Sequence, residues 1–136
     1  MTALVTVRNT PRRETTTRHV LIGAGVKIWA GALVAINAAG FLVPVTAAAT
    51  LKGAARAELT VDNTTGSNGA ALVRTEVGTF RFENSASADL ITRADIGSDA
   101  YGVDDQTVAK TSGSSTRSVV GKIFDVDDQG VWVTLG

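Results

Sequence analysis

Hydrophobic and polar residues alternate along much of this chain with a period of two. At that spacing successive side chains leave opposite faces of a strand. Thr79-Phe80-Arg81-Phe82 is the cleanest instance: the two phenylalanines fall on one side, Thr79 and Arg81 on the other. Similar runs predict strands at 19–22, 26–31, 32–36 and 41–45, at 71–77 and 99–103, and at 107–110, 118–126 and 131–135. Residues 52–61 alternate imperfectly. Between the runs stand turn signals. Asn37-Ala38-Ala39-Gly40 supplies residues that tolerate left-handed backbone, so 32–36 and 41–45 are expected to form a hairpin with Pro44 at a strand end or an edge. Residues 62–69 and 111–116 are expected to be polar loops, the second a flexible one. Gly78 marks a bulge or bend. Asp127-Asp128-Gln129-Gly130 turns the last hairpin.

One helical signal interrupts this pattern. Thr92-Arg93-Ala94-Asp95 is a capping-box-like start with Asp in place of Glu, and Gly97 stops it within about one turn. The expected fold is therefore all-β: a small β-barrel or β-sandwich with an extended N-terminal arm and one short helical turn. The arm spans 1–18 and the body 19–136. Pro11 forbids a helix through the arm. Leu4, Val5 and Val7 are its large apolar side chains and Arg8, Arg12, Arg13 and Arg18 its positive charges. Composition leaves two readings open, a frayed terminus or an arm that orders on a partner.

Composition narrows the function classes. The chain has 136 residues, enough for one domain with a real core, and no cysteine, which removes disulfides and thiolate chemistry. Thirteen basic and thirteen acidic residues give a formal net charge of zero. Nucleic-acid binders usually carry a basic excess, and a neutral surface favours association. The apolar stretch 28–49 is broken by Gly31, Asn37, Gly40 and Pro44, unlike a membrane-spanning helix. Met1 to Thr10 lacks the apolar core of a secretory signal.

Candidate chemistry is sparse. The single histidine, His19, has no nucleophile elbow to serve, so no catalytic residue is assigned. Gly23-Ala24-Gly25 lacks the third glycine and the lysine-serine pair of phosphate-binding loops and reads as a turn. The run from Asp125 has Gly130 at the sixth position, as a calcium loop requires, but Gly136 where the bidentate glutamate belongs. It reads as a hairpin turn; a weak calcium site shared with Asp104 and Asp105 is the alternative. No cofactor or metal is expected. Asn63-Thr64-Thr65 matches a glycosylation sequon that carries no weight without a secretion signal. Trp29 and Trp132 sit inside apolar runs. Packing in the core or at a subunit interface is preferred for them over stacking on sugars.

Longer stretches add a resemblance. Thr92-Arg93-Ala94-Asp95-Ile96-Gly97, Val103-Asp104-Asp105-Gln106-Thr107-Val108-Ala109 and the segment from Gly121 to Val133 with its Gly130-Val131-Trp132-Val133 resemble a family of head proteins from Mu-like and related tailed phages. The resemblance covers about Gly23 to Leu135 and is weakest over the arm. It implies a capsid cement, or decoration, protein: a non-enzymatic homotrimer on the outer surface of the expanded head, partnered by the major capsid protein. It implies no nucleic acid, membrane or small-molecule substrate. On that reading the arm residues Leu4, Val5, Val7, Arg8, Arg12, Arg13 and Arg18 contact capsid subunits, and Trp29 and Trp132 pack between subunits. A virion-displayed carbohydrate or host-adhesion module and a tail structural protein are the alternatives.

Overall fold

The computed structural model describes residues 2–136. As the alternation predicts, the chain is all-β. Its strands are β1 Thr17–Leu21, β2 Val26–Ile28, β3 Leu33–Ile36, β4 Leu42–Pro44, β5 Lys52–Ala57, β6 Val61–Asn63, β7 Leu72–Glu76, β8 Thr79–Asn84, β9 Asp99–Gly102, β10 Thr107–Ala109, β11 Val119–Asp127 and β12 Gly130–Leu135. The C-terminal strands close into a five-stranded barrel in the order β10-β8-β12-β11-β9, and the earlier ones form a five-stranded sheet, β1-β7-β5-β3-β4, with a two-stranded ribbon of β2 and β6. The parallel pairing of β10 with β8 completes the barrel.

Strand β3 shows why this sheet is not alternating. Leu33 and Ala35 pack with Val45, just beyond β4, and with the barrel residues Phe82, Val108, Val131 and Val133. Val34, between them, joins Ile22, Ile28, Leu42 and Val73 on the opposite face. The strand is buried on both sides, so it reads as a continuous apolar run. Two hydrophobic clusters thus share one sheet as their common wall. Complete burial of each such aliphatic side chain is worth about 1.5–3 kcal/mol.

Local chemistry closes the turns. Asn37 Oδ1 accepts hydrogen bonds from the backbone N–H of Ala39 and Phe41, both at 3.0 Å, while Gly40 takes φ +91°. This forms the expected β3–β4 hairpin, with Pro44 ending an edge strand. The outer side of β4 is partly covered, because Ile22 bridges Leu42 in parallel. In the predicted helical turn, a 3₁₀ turn at Arg93–Asp95, the Thr92 N–H and hydroxyl both donate to the Asp95 carboxylate, at 2.8 and 3.2 Å. The Gly97 N–H then donates to the Ile123 carbonyl, which docks the turn on β11.

Several expectations are corrected. Residues 52–61, left as an imperfect alternation, divide between two elements: β5 belongs to the large sheet and β6 to the ribbon. Asp62 and Asn63, assigned to a loop, belong to β6. A second 3₁₀ turn, Ser87–Asp89, lies in a stretch without a helical signal. The loop at 111–116 is closed by hydrogen bonds to its own backbone and side chains: the Thr116 and Arg117 N–H groups donate to the Ser112 carbonyl at 2.9 and 3.0 Å. Asp89 ties this loop to the 3₁₀ turn, accepting from the Thr111 hydroxyl at 2.5 Å and pairing with Arg117 at 3.2 Å. Strand β1 begins at Thr17, so Thr17 and Arg18 are part of the body.

Candidate interaction surfaces

The arm leaves the body at a defined hinge. The Val77 N–H donates to the Thr16 carbonyl at 2.8 Å, one step beyond the β1–β7 ladder. Just before it, the Glu14 carboxylate accepts from the N–H of Thr16 at 2.8 Å and of Thr17 at 3.1 Å, and from their hydroxyls at 2.6 and 3.1 Å. These bonds favour the ionised form and hold Glu14 below its ordinary value of 4.5, at about 2, the Thr16 hydroxyl contributing most. The sequence reading passed over Glu14. Its signal was a carboxylate followed by hydroxyl residues that can satisfy it locally.

Among the described residues before Glu14 there is no helix or strand. Leu4, Val5 and Val7 are 70, 93 and 94% exposed. Arg8 reaches only Thr10, at 3.5 Å, and Arg12 is exposed. At the arm's base Arg13 and Arg18 line a groove of about 590 Å³ with Gly53, Ala55, Thr75 and Val77. The structure thus separates the candidate arm residues into an outer group, Leu4 to Arg12, and a base where Arg13 and Arg18 meet the sheet.

Neither tryptophan belongs to the core, which removes half of the packing expectation. Trp29 is 56% exposed just beyond β2, with Lys27 Nζ 3.9 Å from its ring centroid. Trp132 lies half-buried on the barrel wall, where its indole N–H donates to Asp127 Oδ2 at 3.0 Å and Arg81 stands 5.7 Å from the ring. That indole bond is the main reason the Asp127 carboxyl is held below its usual range. Trp132 therefore braces the last hairpin turn, between Asp127 and Gly130.

Other apolar side chains escaped the sequence reading. Phe124 is 64% exposed where the β11–β12 register shifts. Ile96 is exposed too, and Phe124 and Ile96 adjoin the two ends of the Gly97–Ile123 hydrogen bond. Leu21 and Leu72 are exposed and paired across β1 and β7. A strand's period assigns faces but not which face is covered.

His19 is exposed on β1, opposite Arg74. Gly23-Ala24-Gly25 is a turn in which the Gly25 N–H donates to the Asn63 and Gly66 carbonyls at 3.1 and 3.3 Å. Asn63, of the sequon, is buried and donates through Nδ2 to the Gly23 and Ser67 carbonyls at 2.8 and 3.1 Å. Among the described residues no His, Asp or Glu group of metal-binding arrangement occurs, and no helix is long and apolar enough to cross a membrane. Compared with known proteins, the chain matches no family model, no curated protein and no solved structure.

Proposed function

We propose that this chain is a bacteriophage capsid decoration, or cement, protein. In this reading it is a non-enzymatic homotrimer on the outer surface of the expanded head, where it bridges major capsid subunits against the pressure of packaged DNA. The observation that supports it most is the outer arm: Leu4, Val5 and Val7 stand exposed with Arg8 and Arg12 beside them, ahead of a base fastened by Glu14. Exposed β-branched residues in an extended segment suit strand addition to a neighbouring sheet edge. The arginines suit carboxylates on a protein surface.

Charge is distributed to match. Four arginines against one glutamate before His19 give the arm +3, so the rest of the neutral chain carries −3. Opposite charges attract, so the basic arm suits an acidic surface on a partner, for which its own acidic body competes. A ligand that binds only the expanded lattice stabilises that lattice by mass action, and three-fold symmetry multiplies weak contacts. No chemical step is required.

The test is co-sedimentation of purified protein with expanded, undecorated heads, comparing the full chain with one lacking residues 2–13. That deletion spares Glu14 and β1. The expected result is a folded truncated protein whose binding is at least about tenfold weaker, a loss of about 1.4 kcal/mol. Equal decoration by both proteins would refute the reading.

A further inference from the structure

A hollow whose lining is distinct from that of the groove at the arm's base lies beside Trp29. It has a volume of about 360 Å³ and is lined by Trp29, Ala30, Gly31, Ala32, Asp105 and Gln106. We infer that this hollow is a binding site for a neutral pyranoside, with Trp29 as the stacking platform and Asp105 and Gln106 as the hydroxyl-binding pair.

Three observations carry the assignment. The first is the exposure of Trp29, 56%, at the edge of this hollow. An indole face is electron-rich and attracts the slightly positive C–H bonds that line one face of a pyranose ring. The second is chemical. The half-buried Asp105 carboxylate and the exposed Gln106 amide make no side-chain hydrogen bond within the described residues. Neighbouring Asp104, by contrast, spends its carboxylate on the Gln106 N–H at 3.0 Å. A carboxylate acceptor beside an amide that both donates and accepts matches two adjacent sugar hydroxyls.

The third is rigidity. The Ala30 N–H donates to Thr60 Oγ1 at 3.0 Å, the Gly31 N–H to the Ala57 carbonyl at 2.8 Å, and the Leu33 N–H to the Asp105 carbonyl at 2.8 Å. The last bond ties the two walls of the hollow together through backbone. Lys27 Nζ stands over one face of the ring, 3.9 Å from its centroid, which leaves the opposite face for a sugar. A site held in place before binding loses less entropy when it binds. The two carboxylates of Asp104 and Asp105 outweigh the single positive charge of Lys27 at the ring, so acidic sugars are disfavoured and the class is neutral.

The site is independent of the arm, and its test does not involve heads. A Trp132→Phe variant leaves Trp29 as the one tryptophan of the chain. Its fluorescence is titrated with maltohexaose, cellohexaose, a β1,4-galactohexaose, and an α1,4-linked oligogalacturonate of the same length, each to about 10 mM, the weak end of measurable affinity. The expected result is saturable binding of at least one neutral oligosaccharide and none of the uronate. Affinity then falls at least about tenfold in Trp29→Ala, followed by glycan array or NMR, and clearly in Asp105→Asn and Gln106→Ala. Because Trp29 and Gln106 are exposed, these variants are expected to keep the circular dichroism of the parent. Absence of binding by every neutral sugar, preference for the uronate, or undiminished binding by folded Trp29→Ala would each overturn the assignment.

Discussion

At the scale of single residues, two polar side chains hold structure that apolar packing does not reach. Asn63 is 4% exposed, and its amide bridges Gly23 and Ser67 while its own carbonyl accepts from Gly25 and Gly66. Asn63→Ala leaves the Gly23 carbonyl without its amide donor, while the exposed Ser67 carbonyl keeps the Ala70 N–H. Such a loss costs about 1–3 kcal/mol, and urea unfolding is expected to show a destabilisation in that range; a change under about 0.5 kcal/mol, typical of surface positions, would contradict this role. Glu14 makes a prediction in pH. Its folded value, about 2, lies below its ordinary 4.5, so the hinge is fully held above 4.5 and released as the carboxylate protonates toward 2. The Thr16 and Thr17 amide resonances are expected to move toward unstructured positions over that interval and to stay there at all pH values in Glu14→Gln. Neither role was legible beforehand. The sequence shows that Asn63 is polar and near turn residues, but its burial depends on Gly23, forty positions away in the chain.

At the scale of elements, the last hairpin was the most legible and the barrel closure the least. Residues 118–126 and 131–135 alternate around a turn, and β11 and β12 pair as that pattern implies, with Gly121 opposite Leu135. Gly121 also shows what the pattern leaves out. A Cβ there would lie 2.1 Å from the Thr134 carbonyl oxygen and 3.0 Å from Val133 Cγ1. Gly121→Ala therefore has to part β11 from β12, and the expected cost is about 2–4 kcal/mol by thermal or urea unfolding. A fully stable alanine variant would mean that the register shift between Val119 and Gly121 absorbs the methyl group. The parallel β10–β8 contact, by contrast, joins strands with no hairpin between them, and local periodicity carries no information about such a partner.

At the scale of the whole molecule, the arm and the body are energetically separate. The arm's outer side chains are bare, so the deletion of residues 2–13 removes almost no buried surface. Its melting temperature is expected to match that of the full chain within about 2 °C, a shift equivalent to well under 1 kcal/mol. A larger fall would mean that the arm packs on its own body and is unavailable to a partner. The sheet between the two clusters makes the body one unit, since Leu33 and Val34 belong to opposite cores. One cooperative transition is expected for that reason.

The amino-acid sequence by itself determined that this chain is all-β, where most turns fall, and that a basic, apolar-tipped arm precedes the body. Those properties follow from period, turn chemistry and charge, which are local. Only the tertiary structure decided that 52–61 divides between two sheets, that Asn63 is interior, and that Trp29 stands at the rim of a hollow with Asp105 and Gln106. Each of these depends on which distant segment covers which face. That choice is made by the joint packing of the two cores rather than by any short stretch of residues.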